Sequence, residues 1–462
     1  MRPATTPISL ADALRAARET RALEIGSGIL HEVPRVFREH FGSREAVIVA
    51  DENTMKGAGD AVLAAFKDAG HPTRAPFVFP AQGLYAEHRF VEQLEPSLRA
   101  HDAIPVVVGS GTLNDLTKLA AHRTGRSYVC VATAASMDGY TAFGASITYN
   151  GSKQTFDCPA PTAVVADLDV IACAPAAMSG WGYADLLAKV TAGADWIIAD
   201  ALGVEPIEPL AWNIVQGRLR EAVADPTGIR AGNASAFAGL VEGLMLGGFA
   251  MQATKSSRPA SGAEHQFSHL WDMQHHTHEG SAPSHGLKVG IGTLAVTALY
   301  EQLLALPLDA LDIMERAAAW PEKEMWLQQA AVLFPEPDLH AVATREITAK
   351  HSSPAELADQ LNTVRKLWPD LRDQLNKQLI PFGTLREMLR SAGAATEPEE
   401  IGIPRARLRE SFMKAFFIRR RFTVLDLAMR TGLLGSSLDR IFGPQGTWPA
   451  TASPTPTLHV PY

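Results

Sequence analysis

The stretch Val106-Val-Val-Gly109-Ser-Gly111-Thr-Leu-Asn-Asp115 decides the fold, because an apolar run ends in a glycine turn and a helical pattern follows. Such strand–turn–helix units are typical of parallel sheets that bind ligands beyond the carboxyl ends of their strands. Glycines permit a tight turn, and the helix amino terminus carries about half a positive charge, which favours a phosphate. G-S-G is shorter than the full G-x-G-x-x-G fingerprint, so an ordinary turn with Asn114 or Asp115 capping the helix is the alternative.

Two more apolar runs accompany this turn. Residues 46–50 end at Asp51, and residues 127–132 end at Thr133. Amphipathic stretches over 55–69 and 113–122 separate the runs, which predicts a parallel α/β domain with a ligand crevice at three strand ends. Asp51 then either binds a ribose diol, which favours NAD over NADP, or caps the next helix.

The pattern changes near residue 179. Residues 184–201, 234–253, 287–304 and 309–319 are helical patterns rich in Ala, Leu and Met, and a more charged helical region spans 335–395. No strand-like alternation recurs there. We therefore predict an α/β domain over 1–178 that holds the nucleotide crevice, an all-helical domain over 179–442, and a poorly ordered Pro/Thr-rich tail over 443–462.

Composition excludes several classes of protein. The 462 residues include 42 basic and 50 acidic side chains, a net charge of −8, and 46 % of the residues are hydrophobic. This balance is globular and offers no basic surface for nucleic acid or anionic membranes. Three cysteines without a C-x-x-C pair indicate a reducing compartment. The sequence shows neither an apolar leader nor an uninterrupted apolar span, so we expect a cytoplasmic protein.

Histidines cluster between residues 265 and 285. His265 and His269 are four residues apart and share one face of a helix. Asp185 and His285 each lie near a predicted helix start, and one carboxylate with two imidazoles suits a divalent metal that keeps positions open for substrate. Glu264 precedes His265, so the order differs from H-E-x-x-H. The alternative is a set of ordinary capping and core residues.

Several ordered motifs resemble the glycerol-1-phosphate dehydrogenase family, a branch of the iron-type alcohol dehydrogenase and dehydroquinate synthase superfamily. The resemblance covers roughly residues 20–300, and a later stretch, Ile418-Arg-Arg-Arg421-Phe-Thr-Val-Leu-Asp-Leu427, is also similar. The other matching stretches are Gly109-Ser-Gly-Thr-Leu-Asn-Asp115, Ala132-Thr-Ala-Ala-Ser-Met-Asp-Gly-Tyr140, Gly182-Tyr-Ala-Asp-Leu-Leu-Ala-Lys189, Arg258-Pro-Ala-Ser-Gly-Ala-Glu-His-Gln-Phe-Ser-His269 and His285-Gly-Leu-Lys-Val-Gly-Ile-Gly-Thr293.

The resemblance implies an active site in the cleft between the two domains. It assigns one divalent metal, Zn²⁺ or Ni²⁺, to Asp185, His265 and His285. It places the substrate near Asp138, Asp185 and His269, the residues we expect to be catalytic. Asp51 is expected to bind NAD or NADP because of its place at a strand end. The other residues expected to bind this cofactor are Gly109, Gly111, Thr112, Leu113, Asn114, Asp115, Thr133, Ala134, Ala135 and Ser136.

The implied reaction is reversible hydride transfer between NAD(P)H and dihydroxyacetone phosphate, which forms sn-glycerol 1-phosphate. His269 would hydrogen-bond the substrate or transfer a proton, or else orient a ligand. Asp138 would hold a substrate hydroxyl or cap the turn before Gly139. Arg258, Lys189 and Lys288 are alternative donors to the substrate phosphate.

The sequence departs from the family pattern at Ala142, where the family commonly has a serine that contributes to cofactor binding. The alternative functions are a dehydroquinate-synthase-like lyase or cyclase with bound NAD and a metal, a dehydrogenase for another polyol or polyol phosphate, and a silent metabolite-binding protein. The expected partner is a small phosphorylated substrate, with a possible homodimer and no nucleic-acid or membrane partner.

Overall fold

A computed structural model describes residues 5–149 and 152–449. Six parallel strands form one sheet in the order β1-β8-β5-β4-β2-β3, and β6 and β7 form a separate antiparallel hairpin. The strands are β1 (Ala22–Gly26), β2 (Ala46–Asp51), β3 (Phe77–Phe79), β4 (Ile104–Gly109), β5 (Val129–Ala132), β6 (Ala145–Tyr149), β7 (Ser152–Phe156) and β8 (Ala163–Asp167).

Helices flank the sheet and make up the rest of the described chain. Short 3₁₀ and π segments connect some of them, including a π segment, Met55–Gly59, after β2. The α-helices are α1 (Leu10–Ala16), α2 (Val33–Phe41), α3 (Glu52–Thr54), α4 (Asp60–Asp68), α5 (His88–Arg99), α6 (Gly111–Arg123), α7 (Leu168–Ala172), α8 (Ala176–Leu187), α9 (Lys189–Ala201), α10 (Pro209–Gln216), α11 (Leu219–Ala222), α12 (Pro226–Arg230), α13 (Ala234–Thr254), α14 (Ala263–Met273), α15 (His285–Leu304), α16 (Ile313–Ala318), α17 (Lys323–Leu333), α18 (Pro337–Lys350), α19 (Pro354–Gln378), α20 (Phe382–Ser391), α21 (Arg405–Phe417), α22 (Val424–Arg430) and α23 (Leu434–Phe442).

The sheet is buried on both faces. Val47 and Val107 pack into one hydrophobic cluster, while their chain neighbours Ile48 and Val106 pack into another. Successive side chains of a strand point to opposite faces, so a sheet covered on both sides requires continuous apolar runs. The predicted fold class is confirmed, and the three predicted strands are β2, β4 and β5.

Two predictions about the helical half are wrong. Residues 309–319 do not form one helix, because the Asp312 carboxylate accepts a hydrogen bond from the Glu315 N–H and begins α16 there. The tail is ordered at its start: the Trp448 indole donates to Glu397, and its ring is buried against Phe442. Residues 450–462 of the predicted tail lie outside the described residues. The predicted boundary at residue 178 falls within α8 and stays a prediction.

The two halves of the chain are joined through α13. The Gln252 amide donates to the Thr20 hydroxyl at 2.8 Å and to the Thr141 carbonyl at 2.5 Å, and both partners belong to the first half. In the described part of the chain, α13 alone is long and apolar enough to cross a membrane by length and composition. Most of its apolar window, 61 %, is buried inside the protein, as in the core helix of a globular domain.

Glycines bring three helices of the second half into close contact. A β-carbon at Gly286 of α15 would collide with the Trp181 carbonyl of α8, and one at Gly292 would collide with the Glu264 carbonyl of α14. Backbone-to-backbone approach of this kind leaves no room for any side chain at the crossing. The packing of α15 on α8 and α14 therefore depends on these two positions.

We predict that Gly292→Ala lowers the free energy of unfolding by about 1–3 kcal/mol, because the methyl group must push α14 and α15 apart. Urea denaturation of the purified protein measures this change. Gly383→Ala in α20 is the control, since a β-carbon there meets nothing within 4 Å and alanine is the better helix former. Equal stability of the Gly292 variant and the native chain would contradict the packing argument.

Candidate active site

Asp185, His265 and His285 converge although they lie on three different helices. Their ligand atoms all lie within 4.8 Å of one another, and the Asp185 Oδ1 to His265 Nε2 distance is 3.5 Å. Asp185 comes from α8, His265 from the first turn of α14, and His285 begins α15. The structure thus brings together the three residues that the sequence selects as metal ligands.

Neighbouring oxygens orient the two imidazoles. The His265 Nδ1 lies 2.8 Å from the Glu264 carboxylate, which can only accept, so Nδ1 carries a proton and Nε2 is directed towards Asp185. Burial acts to lower the pKa of His265, but hydrogen bonds to Asp185 and Glu264 outweigh it and raise that pKa, so a metal ion at Nε2 would take the place of a proton. Burial acts to raise the pKa of Glu264, but the hydrogen bond from His265 and the Gly262 N–H outweigh it and lower that pKa. Across the cluster, the His285 Nδ1 lies 3.4 Å from the Ser268 hydroxyl. Carboxylate–histidine pairs of this kind commonly support metal-binding imidazoles.

The donor set fits a divalent cation. Burial lowers the pKa of His285 to about 3, so its imidazole is neutral and able to act as a ligand at physiological pH. One carboxylate oxygen and two imidazole nitrogens suit zinc and other borderline metals. Sequence reasoning missed the supporting role of Glu264, whose only signal is its position beside His265.

Lys189 is shared by two buried carboxylates at this site. Its Nζ lies 2.7 Å from Asp185 Oδ1 and 2.7 Å from Asp138 Oδ2, and the lysine is wholly buried. Burial acts to lower the pKa of Lys189, but the two carboxylates outweigh it and raise that pKa. Lys189 therefore stays charged and is not free to bind a phosphate, so its prediction as a phosphate donor is wrong. Asp138 does not cap the turn before Gly139; it pairs with this lysine.

The other two predicted phosphate donors are also committed to internal partners. Arg258 donates to the carbonyls of Phe422 and Asp195, and only 2 % of its surface is exposed. Lys288 is paired with Asp272 and is likewise buried. Both predictions are wrong, since nearness to a motif along the chain does not reveal a buried counter-charge.

His269 lies one turn beyond His265 on the same helix. The two ring centroids are 6.4 Å apart, and His269 does not belong to the three-residue cluster. Burial, followed by the charge of Arg419, holds the pKa of His269 well below its ordinary value. The side chain is therefore a neutral imidazole beside the cluster.

The ends of β2, β4 and β5, where a crevice is predicted, lie side by side. The Thr133 N–H donates to the Gly109 carbonyl at 3.2 Å, which joins the two glycine- and alanine-rich strand ends. Ser110 precedes α6, but no side chain caps this helix. The N–H groups of Gly111, Thr112 and Leu113 thus remain without a side-chain cap, which is a feature of helix termini that bind anions.

Asn114 and Asp115 connect this turn to the next loop and do not cap α6. The Asn114 amide donates to the Gly139 carbonyl and accepts from the Tyr128 hydroxyl, whereas Asp115 accepts from the Ser146 N–H. Asn114 is completely buried. The capping alternative is therefore wrong, and both residues stabilise the wall of the crevice.

The other predicted cofactor residues lie at the same edge. The segment between the sheet and α8 is almost completely buried. Each of its four residues has less than 10 % of its surface exposed: Thr133, Ala134, Ala135 and Ser136. Asp51 caps α3 by accepting from the Asn53 and Thr54 N–H groups through one carboxylate oxygen, Oδ1. Asp51 therefore caps the helix, as one of the two alternatives predicts. A contact between its other carboxylate oxygen, Oδ2, and a ribose stays a prediction.

Ala142 occupies an apolar position. It packs in a small buried cluster with Met251 and Ala260. Its carbonyl accepts from the buried Lys118 ammonium at 3.0 Å. A serine hydroxyl at this position would meet apolar neighbours, which agrees with the loss of that hydroxyl here.

Comparisons with solved structures define the class of fold. A probable glycerol dehydrogenase from Sinorhizobium meliloti matches with a TM-score of 0.59 at 16 % identity, over 91 % of this chain and 98 % of that one. Glycerol dehydrogenase from Schizosaccharomyces pombe matches with a TM-score of 0.57 at 15 % identity, over 92 % and 91 %. Residues 24–175 match the iron-containing alcohol dehydrogenase family.

Sequence relatives narrow this class. Glycerol-1-phosphate dehydrogenase [NAD(P)+] from Halalkalibacterium halodurans is 34 % identical over 61 % of this chain and 71 % of its own length. The protein of the same name from Methanosarcina mazei is 33 % identical over 61 % and 76 %. The chain belongs to the glycerol-1-phosphate dehydrogenase family. The predicted resemblance is thereby confirmed, while the roles of individual site residues stay predictions.

We predict that Glu264→Gln weakens Zn²⁺ binding by about 10- to 100-fold, because an amide holds the His265 Nδ1–H less firmly than a carboxylate. His265→Ala removes a ligand and should weaken binding further. Equilibrium dialysis of the folded proteins measures both affinities. His278→Ala, a half-exposed histidine outside the cluster, should leave Zn²⁺ binding unchanged, and unaltered affinity in all three variants would rule out this cluster as the metal site.

Proposed function

We propose that the protein is a metal-dependent NAD(P)H oxidoreductase that interconverts dihydroxyacetone phosphate and sn-glycerol 1-phosphate. The observation that carries the proposal is the convergence of Asp185, His265 and His285 beside the glycine turn, in a chain whose relatives carry that name. Those names favour a dehydrogenase over the cyclase alternative. Cytoplasmic location, a homodimer and the lack of nucleic-acid or membrane partners remain predictions.

The chemistry depends on two bound groups. A divalent cation, Zn²⁺ or Ni²⁺ on Asp185, His265 and His285, supplies Lewis acidity, and NAD(P)H supplies the hydride. We assign the dinucleotide to the crevice formed by residues 109–115 and 133–136. In support of this, the uncapped amino terminus of α6 offers backbone donors to a pyrophosphate.

The chain's own residues position the substrate. Lys189 holds Asp138 Oδ2 and Asp185 Oδ1, which keeps both carboxylates in place in a buried setting. This leaves Asp138 Oδ1 as the acceptor for a substrate hydroxyl. The neutral His269 imidazole donates or accepts one hydrogen bond at the same cavity and can transfer a proton at a ring nitrogen.

We predict that the Zn²⁺- or Ni²⁺-loaded protein oxidises one NADH or NADPH for each dihydroxyacetone phosphate consumed, measured by absorbance at saturating substrate. A cyclase regenerates its NAD in each cycle, so it would show no stoichiometric consumption. His265→Ala should abolish this turnover while NADH affinity, measured by fluorescence, changes less than about twofold, because the metal and the dinucleotide are assigned to different domains. Parallel loss of cofactor binding in a folded variant would contradict that division.

Asp51 offers a test of cofactor choice. We predict that Asp51→Asn raises kcat/KM for NADPH relative to NADH by about five- to tenfold, since it removes roughly 1 kcal/mol of repulsion against a 2′-phosphate. Asparagine caps helices as well as aspartate does, so stability should be retained. Thr54→Ala is the matched control: it removes the hydroxyl that accepts from the Asp51 N–H without changing charge, and the NADPH/NADH ratio should stay constant.

A further inference from the structure

Three consecutive arginines, Arg419, Arg420 and Arg421, follow α21 and differ in burial and in hydrogen-bond partners. Arg420 is exposed and forms an ion pair with Glu346, with Nε 3.0 Å from Oε2. Arg419 and Arg421 are half-buried and contact the loop that leads into α14. This alternation separates one solvent-facing guanidinium from two that face the interior.

Arg419 and Arg421 share one acceptor. Their Nη2 atoms donate to the Ser257 hydroxyl oxygen at 3.1 Å and 3.0 Å, which places these two nitrogens at most about 6 Å apart. Arg421 Nη1 also donates to the Ser261 carbonyl at 2.7 Å. Each guanidinium carries five N–H groups, so both retain unused donors after these bonds.

Neither arginine forms a direct ion pair with an acidic side chain in the described part of the chain, although Glu205 and Glu264 act on both from farther away. Among residues 5–149 and 152–449, neither guanidinium has a carboxylate oxygen within 4.0 Å, although neighbouring Arg420 does. Burial, followed by the charge of Arg419, lowers the pKa of Arg421 well below its ordinary value. Two half-buried like charges without a direct ion-pair partner favour the binding of an added anion.

The arginine pair contacts the residues that lead into the helix of His265 and His269. Ser257 and Ser261 precede α14, whose first turns carry His265 and His269. Among the charged groups that lower the pKa of His269, Arg419 has the largest effect. Hairpin strand β7 packs against α14, and Lys153 on β7 adds another positive charge facing His269.

We propose that Arg419 and Arg421 form the binding site for the phosphate group of the substrate. This inference rests on the proposed function, because it presumes a phosphate monoester whose carbonyl end is at the metal cluster. A dianionic phosphate offers three oxygens to two guanidiniums and offsets their mutual repulsion. The pair replaces Lys189, Arg258 and Lys288, whose charges are used inside the protein.

The test uses the full-length, metal-loaded protein with saturating NADH. Arg419→Gln and Arg421→Gln should each raise KM for dihydroxyacetone phosphate by about 10- to 100-fold, the effect of losing charge-assisted hydrogen bonds. Activity on unphosphorylated dihydroxyacetone and the KM for NADH should change less than about twofold, which a merely structural defect would not allow. Arg420→Gln, next to both residues along the chain, is the matched control and should behave as the native protein.

Direct binding of inorganic phosphate separates this inference from the proposed function. Calorimetry on the native protein should detect phosphate, and each glutamine variant should weaken its binding by a similar factor. If the native protein does not reduce dihydroxyacetone phosphate, the proposed function fails and the calorimetry alone decides the inference. Folded glutamine variants that bind phosphate and substrate within threefold of the native protein would overturn the inference. Should a glutamine variant not fold, Arg→Lys at that position replaces it, with an expected KM rise of about tenfold because lysine cannot form a bidentate contact.

Discussion

The buried ionised carboxylate of Asp185 is the constraint on which the rest of the site depends. An isolated carboxylate inside a protein is very costly, so it must be paired and hydrogen-bonded. Here the Lys189 ammonium and the Asp138 N–H both bind it, and His265 approaches from a second helix. The lysine requires Asp138 as its other partner, and this ties the loop after β5 to α8. These ion pairs and hydrogen bonds thus hold the α/β half and the helical half together at the point where chemistry is proposed.

Much of this arrangement could be predicted from the sequence where local pattern and chemistry agree. The buried strands β2, β4 and β5 are continuous apolar runs, and their polar ends meet because parallel strands share a carboxyl edge. Edge strand β1 is only partly buried and reads Ala-Leu-Glu-Ile-Gly, so its pattern is weaker. The other edge strand, β3, has only three residues. Periodicity over so few positions does not distinguish a strand from a loop.

Side-chain partners are much harder to predict than elements. Lys189 and Lys288 lie within stretches that match the family. Lys189 is nevertheless paired with Asp185 and Asp138, and Lys288 is paired with Asp272. Such pairings depend on which helices pack against each other. A glycine at a helix crossing does not show from the sequence which helix lies against it. Arg419, Arg420 and Arg421 are the same residue type and adjacent in the chain, but within residues 5–149 and 152–449 only Arg420 forms an ion pair. Tertiary contacts, not residue type, decide which charge is available.

The wide spacing of the proposed metal ligands along the chain bears on when a metal ion could bind. Asp185 lies 80 residues before His265 and 100 before His285, on helices that must pack before their donors meet. A nascent chain leaving the ribosome offers one donor at a time, so ion capture follows folding. Because Lys189 already compensates Asp185, a cell short of the ion would accumulate correctly folded, dormant enzyme instead of misfolded chains. Metal supply would then regulate specific activity without altering protein turnover.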